Sequence, residues 1–335
     1  MHELVKALNA EPLTQEEAYR LMHRIMQGEL TPAQLAGVLI ALRTRGETVD
    51  EIAGFARAMR EHALRIQVAG PLMDVVGTGG DGRGTFNIST TTAFVVAAAG
   101  VRVAKHGNRA ASSRSGSADV LEALGVRIDL PPEQVARAIE EVGVGFLFAR
   151  SHHPAMRHVA PVRAELRVRT VFNLLGPLTN PAGATHFLLG VFAPEWLEPM
   201  ARALGDLGAR RALVVHGAGT DELVLGPSRV AELRDGRVRS YTLTPEAVGL
   251  EPAPLQALAG GSAEENARIT RRILGGEEAG PRADVVALNA GAALYAAGRA
   301  ESVAEGVARA REILRSGAAL EVLERLVAFS QRVRS

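Results

Sequence analysis

Leu72-Met73-Asp74-Val75-Val76 runs without a break into Gly77-Thr78-Gly79-Gly80-Asp81-Gly82-Arg83-Gly84 and then into Thr85-Phe86-Asn87-Ile88-Ser89-Thr90. A short apolar run, a glycine-rich turn and a Thr/Asn/Ser segment leading into Ala93–Gly100 read as strand, loop and helix. Five of the eight residues from Gly77 to Gly84 are glycine. Glycine removes Cβ and tolerates positive φ, so successive N–H groups can converge on one bulky anion. The helix that follows is expected to be capped, to begin at about Ser89 and to turn its N-terminus to the same anion. The stretch announces a phosphate site at the end of a strand.

The same alternation continues outward. Val101–Ala104, Val144–Phe148, Phe187–Phe192 and Leu213–His216 read as further strands, with helices over Ser117–Leu124, Pro132–Val142 and Glu195–Leu207 between them. Strand–helix alternation predicts an α/β fold with a mostly parallel central sheet flanked by helices. Arg229–Leu233 and Val238–Leu243, split by Asp235-Gly236, read as a hairpin, and the chain beyond Ser262 reads as helical almost to its end. The first 65 or so residues carry helix signals alone: Thr14 with Glu17 as a capping box, Thr31-Pro32, and Thr48 or Asp50. They predict a smaller all-helical N-terminal domain, residues 1–68. A helical, polar-faced segment from His153 to about Arg169 is expected to pack back on it, so that 153–182 contributes there while 70–152 and 183–335 form the α/β domain.

Composition excludes several classes. With 38 basic and 37 acidic residues the net charge is +1, which leaves no footprint for non-specific nucleic-acid binding. The absence of cysteine excludes disulfides, thiolate catalysis and cysteine-ligated metals, and makes the cytoplasm the default compartment. No apolar run approaches the roughly 20 residues of a membrane span, and Met1-His2-Glu3-Leu4 does not open a secretory signal. Only Lys6 and Lys105 are lysines among the basic residues, so Lys105 is conspicuous.

Gly77, Gly79 and Gly82 also spell a dinucleotide fingerprint. That reading needs a helix opening inside the loop and an acidic residue about twenty positions on, where this chain has Lys105. A P-loop would need Lys-Ser or Lys-Thr after Gly84, where Thr85-Phe86 stands. A second loop, Lys105-His106-Gly107-Asn108-Arg109-Ala110-Ala111-Ser112-Ser113-Arg114-Ser115-Gly116-Ser117, also follows a strand and precedes a helix. In a parallel sheet both loops open at one carboxyl edge, and its cations and small hydroxyls suit a second phosphate group. Asp221-Glu222, after the strand Leu213–His216, reads either as a solvated turn or as carboxylates for Mg²⁺ opposite the cradle. His152, His153, His158 and Arg163 crowd one segment; zinc spacing is missing, and Arg163 reads as a surface charge or as the partner of a substrate carboxylate.

Gly77-Thr-Gly-Gly-Asp81, the run Lys105–Ser117, His153-Pro-Ala-Met-Arg-His-Val-Ala-Pro-Val-Arg163, Asn173-Leu-Leu-Gly-Pro-Leu-Thr-Asn-Pro181 and Asp221-Glu222 occur in this order over nearly the whole chain. In this the chain resembles the anthranilate phosphoribosyltransferases of tryptophan biosynthesis. The resemblance implies a helical domain hinged to an α/β domain, a homodimer, and transfer of a phosphoribosyl group from phosphoribosyl pyrophosphate to the amine of anthranilate. It also implies roles. Gly77, Gly79, Gly80, Asp81, Thr85, Asn87, Ile88, Ser89, Thr90, Lys105, His106, Gly107, Asn108, Arg109, Ala110, Ala111, Ser112, Ser113 and Ser117 would hold the pyrophosphate and ribose phosphate. Ser89, Asp221 and Glu222 would serve two magnesium ions. Gly77, Asn108 and Arg163, with His106, His153 and Pro177, would bind anthranilate, and His106 is the candidate to take the released proton. A pyrimidine nucleoside phosphorylase and a nucleic-acid-binding homologue of the same fold are the alternatives at this point.

Overall fold

A computed structural model describes residues 2–110 and 114–332. Seven strands form one sheet: β1 (Met73–Gly77), β2 (Val103–Gly107), β3 (Val144–Phe148), β4 (His186–Gly190), β5 (Arg211–Gly217), β6 (Ser228–Arg234) and β7 (Arg237–Leu243). Their order is β3-β2-β1-β4-β5-β6-β7. The first five in this order run parallel, and β6 and β7 return antiparallel. Helices cover the parallel part, which is why β1–β4 are almost wholly buried and apolar rather than alternating. Asp235 and Gly236 lie at φ 52° and 73° between β6 and β7, the left-handed pair that a two-residue hairpin demands.

Four helices precede the sheet: His2–Leu8, Gln15–Met26, Pro32–Arg45 and Val49–Glu61. The last three open on complete capping boxes, Thr14 with Glu17, Thr31 with Gln34 and Thr48 with Glu51. Thr48, not Asp50, is therefore the cap of the fourth. Among the described residues no helix is long and apolar enough to cross a membrane.

The segment expected as one helix from His153 is broken. A 3₁₀ turn at Pro154–His158 and a seven-residue helix, Ala160–Leu166, are separated by Val159 and stopped at Arg167, which sits at φ 50°. Prolines 154 and 161 at the starts of these pieces explain the break, since each lacks the N–H that a continuous helix needs. The segment touches the N-terminal helices through its backbone. Leu64 N–H donates to His152 O at 2.8 Å, Arg43 Nη1 to Arg169 O at 2.5 Å, Arg60 Nε to Leu178 O at 2.6 Å and Ile66 N–H to Pro181 O at 3.2 Å.

Candidate active site

The chain leaves β1 for β2 and β3 on one side, then crosses back to β4 and β5 on the other, so the loops after β1, β2 and β5 meet at the carboxyl edge where an open α/β sheet binds ligands. Gly79, Gly80, Gly82 and Gly84 lie at φ 68°, 71°, 71° and 69°, a conformation L side chains rarely adopt. A Cβ at Gly79, Gly82 or Gly84 would meet nothing within 4 Å, so this backbone faces open space. The far end of the loop is anchored: Thr85 bridges Ala259, Phe86 N–H donates to Leu258 O at 3.1 Å and Gly260 N–H to Gly84 O at 2.9 Å.

The next helix is Ile88–Ala98, and Asn87 stands at its N-cap without a side-chain cap bond. The expected capped start at Ser89 is thus corrected by one residue and by the missing cap. Asn87 is occupied elsewhere: its Nδ2 donates to Ser115 O at 3.2 Å and its Oδ1 accepts from Asn266 Nδ2 at 2.9 Å. Of the first-turn N–H groups, that of Ile88 donates to Phe86 O at 2.8 Å and that of Ser89 to a carboxylate across the cleft. Ile88 and Thr90 point inward and are buried, Thr90 with its hydroxyl unpartnered.

Lys105 is 3% exposed, and its Nζ donates to Val75 O at 2.6 Å and Ser89 Oγ at 3.5 Å. Burial pulls its ammonium below the usual lysine range, while the charges of Asp74, Glu222 and Asp221 oppose that pull. Gly107 is forced, since a Cβ there would lie 2.2 Å from Ser117 Oγ. Ser117 Oγ accepts from Asn108 N–H and donates to Asn108 O, both at 3.2 Å, which ties the loop to its helix. Ala110 N–H donates to Asp119 Oδ2 at 3.0 Å. Ala111, Ser112 and Ser113 lie outside the described residues.

Across the cleft, Asp221 Oδ2 accepts from Gly79 N–H at 2.7 Å and Glu222 Oε1 from Ser89 N–H at 3.1 Å. Burial raises both carboxyls, Asp221 to about 6 and Glu222 well above the carboxylate range; Asp81 adds to the first and Asp221 to the second. Asp81 Oδ1 also accepts from Arg83 N–H at 3.0 Å. No group of three or more His, Asp or Glu placed to hold a metal occurs among the described residues. Two hard carboxylates repelling one another, beside the Ser89 hydroxyl and an open cradle, fit Mg²⁺, which keeps most of its positions for water and phosphate oxygens.

The other wall is built from neutral imidazoles. His106 Nδ1 donates to Gly176 O at 3.1 Å, which leaves Nε2 as a lone-pair acceptor, buried and unpartnered. His153 lies beside it, ring centroids 5.2 Å apart, and its Nε2 is likewise buried and unpartnered. Burial holds His106 well below its ordinary range and His153 at about 4, so both are uncharged at neutral pH. Pro177 is buried in the turn Gly176–Leu178 beneath them. Arg163 lies on the short helix Ala160–Leu166. Its guanidinium lies 5.5 Å from the Phe172 ring centre and has no hydrogen bond or ion pair among the described residues.

The family model described as a glycosyl transferase family a/b domain matches residues 69–320, and the corresponding helical bundle domain matches residues 3–63. The anthranilate phosphoribosyltransferase of Thermus thermophilus is 64% identical over 330 residues, covering 98% of this chain and 99% of that protein. The chain belongs to the anthranilate phosphoribosyltransferase family. The relative from Rubrobacter xylanophilus is 59% identical over 98% of this chain and 97% of its own length. A crystal structure of the Thermus thermophilus enzyme superposes with a TM-score of 0.96 over 99% of this chain and all of that one. A Saccharomyces cerevisiae anthranilate phosphoribosyltransferase, solved in complex with PRPP and Mg, is 29% identical with a TM-score of 0.85, covering 95% of this chain and 93% of that one.

Within this anthranilate phosphoribosyltransferase fold, one expected cation is spent. Arg109 pairs with Asp119 at 3.1 Å and with Glu122 at 2.5 and 2.8 Å, so its guanidinium serves the helix Ser117–Ala123 and only its backbone remains for the cradle. Four residues escaped the sequence reading. Gly190 closes β4 against Asp221, where a Cβ would lie 1.5 Å from the Asp221 carbonyl oxygen; glycine at a strand end signals such an approach. Arg169 stacks 4.3 Å from the Phe192 ring centre and donates through Nη2 to Gly80 O. Asp74 and Asn180 are buried against one another, and a carboxylate inside an apolar parallel strand is the signal that could have found Asp74.

Proposed function

We propose that this chain transfers the phosphoribosyl group of 5-phosphoribosyl 1-pyrophosphate to anthranilate, giving N-(5-phosphoribosyl)anthranilate and pyrophosphate, in tryptophan biosynthesis. One observation carries the reading beyond family membership. An open glycine cradle and the N-terminus of the helix Ile88–Ala98, faced by the Asp221-Glu222 pair, share a cleft edge with two neutral imidazoles whose Nε2 atoms are buried and free.

The bond from the ribose C1 to the pyrophosphate oxygen breaks, the amine nitrogen bonds to C1, and one amine proton leaves. Gly77, Gly79, Gly80, Asp81, Thr85, Asn87–Thr90, Lys105–Ser113 and Ser117 are assigned to the phosphates and ribose. Bound Mg²⁺ would neutralise the departing pyrophosphate, and Ser89, Asp221 and Glu222 would hold it as two ions. Lys105 places a buried positive charge at the same edge. His106, with Nδ1 already committed, offers Nε2 to the leaving proton, and His153 presents the same atom beside it. Arg163, a partly buried cation without an anion, suits the carboxylate of anthranilate, with Asn108 and Pro177 completing the acceptor side. Positioning and electrostatic stabilisation account for the rate, since the aryl amine is neutral at pH 7.

The same reading assigns 1–68 with 153–182 to a helical domain and 70–152 with 183–335 to the α/β domain, supported by the backbone bonds that join His152, Arg169, Leu178 and Pro181 to the N-terminal helices. Val5, Leu8 and Ile40, apolar yet 51%, 43% and 38% exposed, support a homodimer through the helical domain. A cysteine-free chain suits the cytoplasm. Loss of anthranilate fluorescence on mixing with phosphoribosyl pyrophosphate and Mg²⁺ tests the activity; no loss at any enzyme concentration refutes it.

A further inference from the structure

Neighbouring strands of the parallel sheet pair along their whole length, with five registered partners for β1–β4, β2–β3 and β4–β5. β1 and β2 are different: their pairing is Met73 opposite Val103. Beyond that point side chains bond across the gap. His106 N–H donates to Asp74 Oδ1 at 3.2 Å, Lys105 Nζ donates to Val75 O at 2.6 Å, and Ala104 O accepts from Asn180 Nδ2 at 2.8 Å. Asn180 spends its second N–H on Asp74 Oδ2 at 2.7 Å and accepts Ala182 N–H on Oδ1 at 2.9 Å. Both donors and the acceptor of Asn180 are used, with the residue 2% exposed and Asp74 wholly buried.

The segment that Asn180 ends is the platform of the imidazole wall. Gly176 O orients His106, and the Thr179 backbone lies beside His153. We infer that Asn180 and Asp74 are positioning residues for the transfer: together they pin residues 176–180 to β1 and β2, and so aim the two free Nε2 atoms at the acceptor. Burying a carboxylate between strands that could close by an ordinary ladder costs stability, and the cost is offset only if the wedge is needed for what lies above it. Lys105 keeps its own anchors on Val75 O and Ser89 Oγ, so the phosphate side does not depend on Asn180.

This inference rests on the proposed transfer, so wild type is assayed in parallel, and an inactive wild type would count against that reading rather than against the pin. Asn180→Ala is expected to raise KM for anthranilate about ten-fold or more, the size of a lost bond to a charged group, with KM for phosphoribosyl pyrophosphate within about two-fold. Nitrogen-15 spectra of the imidazoles give a second readout: His106 should show one tautomer in wild type and mixed tautomers in N180A. Asp74→Asn, which keeps the shape but leaves one oxygen for two N–H donors, is expected to give the same rise in KM for anthranilate and the same mixed tautomers; because Lys105 also loses a compensating charge, it is the His106 tautomer that decides the matter if N180A does not fold. Equal changes in both KM values, or none in either, with a single His106 tautomer retained, would overturn the inference and leave the pair as fold support.

Discussion

Replacing Gly190 by alanine tests the geometry of the edge proposed for magnesium without touching a carboxylate. Gly190 ends β4 between Gly77 of β1 and Val215 of β5, so the strand has no room to move. A Cβ there would lie 1.5 Å from the Asp221 carbonyl oxygen and 2.3 Å from its carbon, whereas ordinary contact begins at 3.4 Å. The loop must therefore retreat by about 2 Å, and its carboxylates retreat with it. The bonds from Gly79 N–H to Asp221 (2.7 Å) and from Ser89 N–H to Glu222 (3.1 Å) cannot survive that shift. At about 1.5–3 kcal/mol for each bond to a charged group, the loss is roughly 3–6 kcal/mol. Against a total stability of about 5–15 kcal/mol the variant stays folded at low temperature with a clearly lowered Tm. Thermal unfolding should show that drop, and the rate at saturating substrates should need at least about ten-fold more Mg²⁺. An alanine variant with wild-type Tm and wild-type Mg²⁺ dependence would refute the close approach of β4 to the loop.

Arg163→Ala should raise KM for anthranilate about ten- to a hundred-fold, from a charge-assisted bond of about 1.5–3 kcal/mol, and leave KM for phosphoribosyl pyrophosphate unchanged. Steady-state kinetics with each substrate varied in turn check this, and equal shifts in both would remove the role given to Arg163. Asp221→Asn with Glu222→Gln should raise the Mg²⁺ requirement steeply and lower kcat; an unchanged magnesium titration would return the pair to a solvated turn. Because burial raises both carboxyls, each opposes folding once ionised, Asp221 as pH rises through about 6, so the double variant should also unfold later than wild type at pH 7 in the absence of Mg²⁺. His153, held at about 4 against an ordinary 6.5, stays neutral in the fold while the unfolded chain takes up its proton. Stability should thus fall by up to about 3 kcal/mol between pH 6.5 and 4, a loss that His153→Gln should flatten in denaturant titrations.

The strands and both anion loops were legible because glycine and apolar runs act locally: a strand enters Gly77–Gly84 and a helix leaves it, and Lys105 and Thr85-Phe86 set aside the other phosphate loops. The carboxylate pair was legible only through the loops it faces. What escaped depended on contacts between residues far apart in the chain. Arg109 looked like a phosphate ligand until Glu122, one helix on, was seen to hold it. The cap expected before the helix was missing because Ser115 and Asn266 claim the Asn87 side chain. Gly190 lay unremarked inside the strand expected over Phe187–Phe192, since nothing near it in sequence announces Asp221. The break at His153–Arg169 could have been read from its prolines, whereas the pin at Asn180 needed the gap between β1 and β2.

The return of the 152–181 segment to the first four helices imposes a timetable on synthesis. Arg60 donates to Leu178 O and, at 2.9 Å, to Leu207 O, and burial has lowered its guanidinium to about 10. Those carbonyls are translated up to 147 residues after Arg60 itself. At about 5–20 residues per second the ribosome needs roughly 7–30 s to supply them. During that interval the nascent helices hold a cation destined for the interior and an apolar flank meant for residues not yet made. The N-terminal bundle is thus translated well before the residues that complete it, and this interval is when chaperones would meet it.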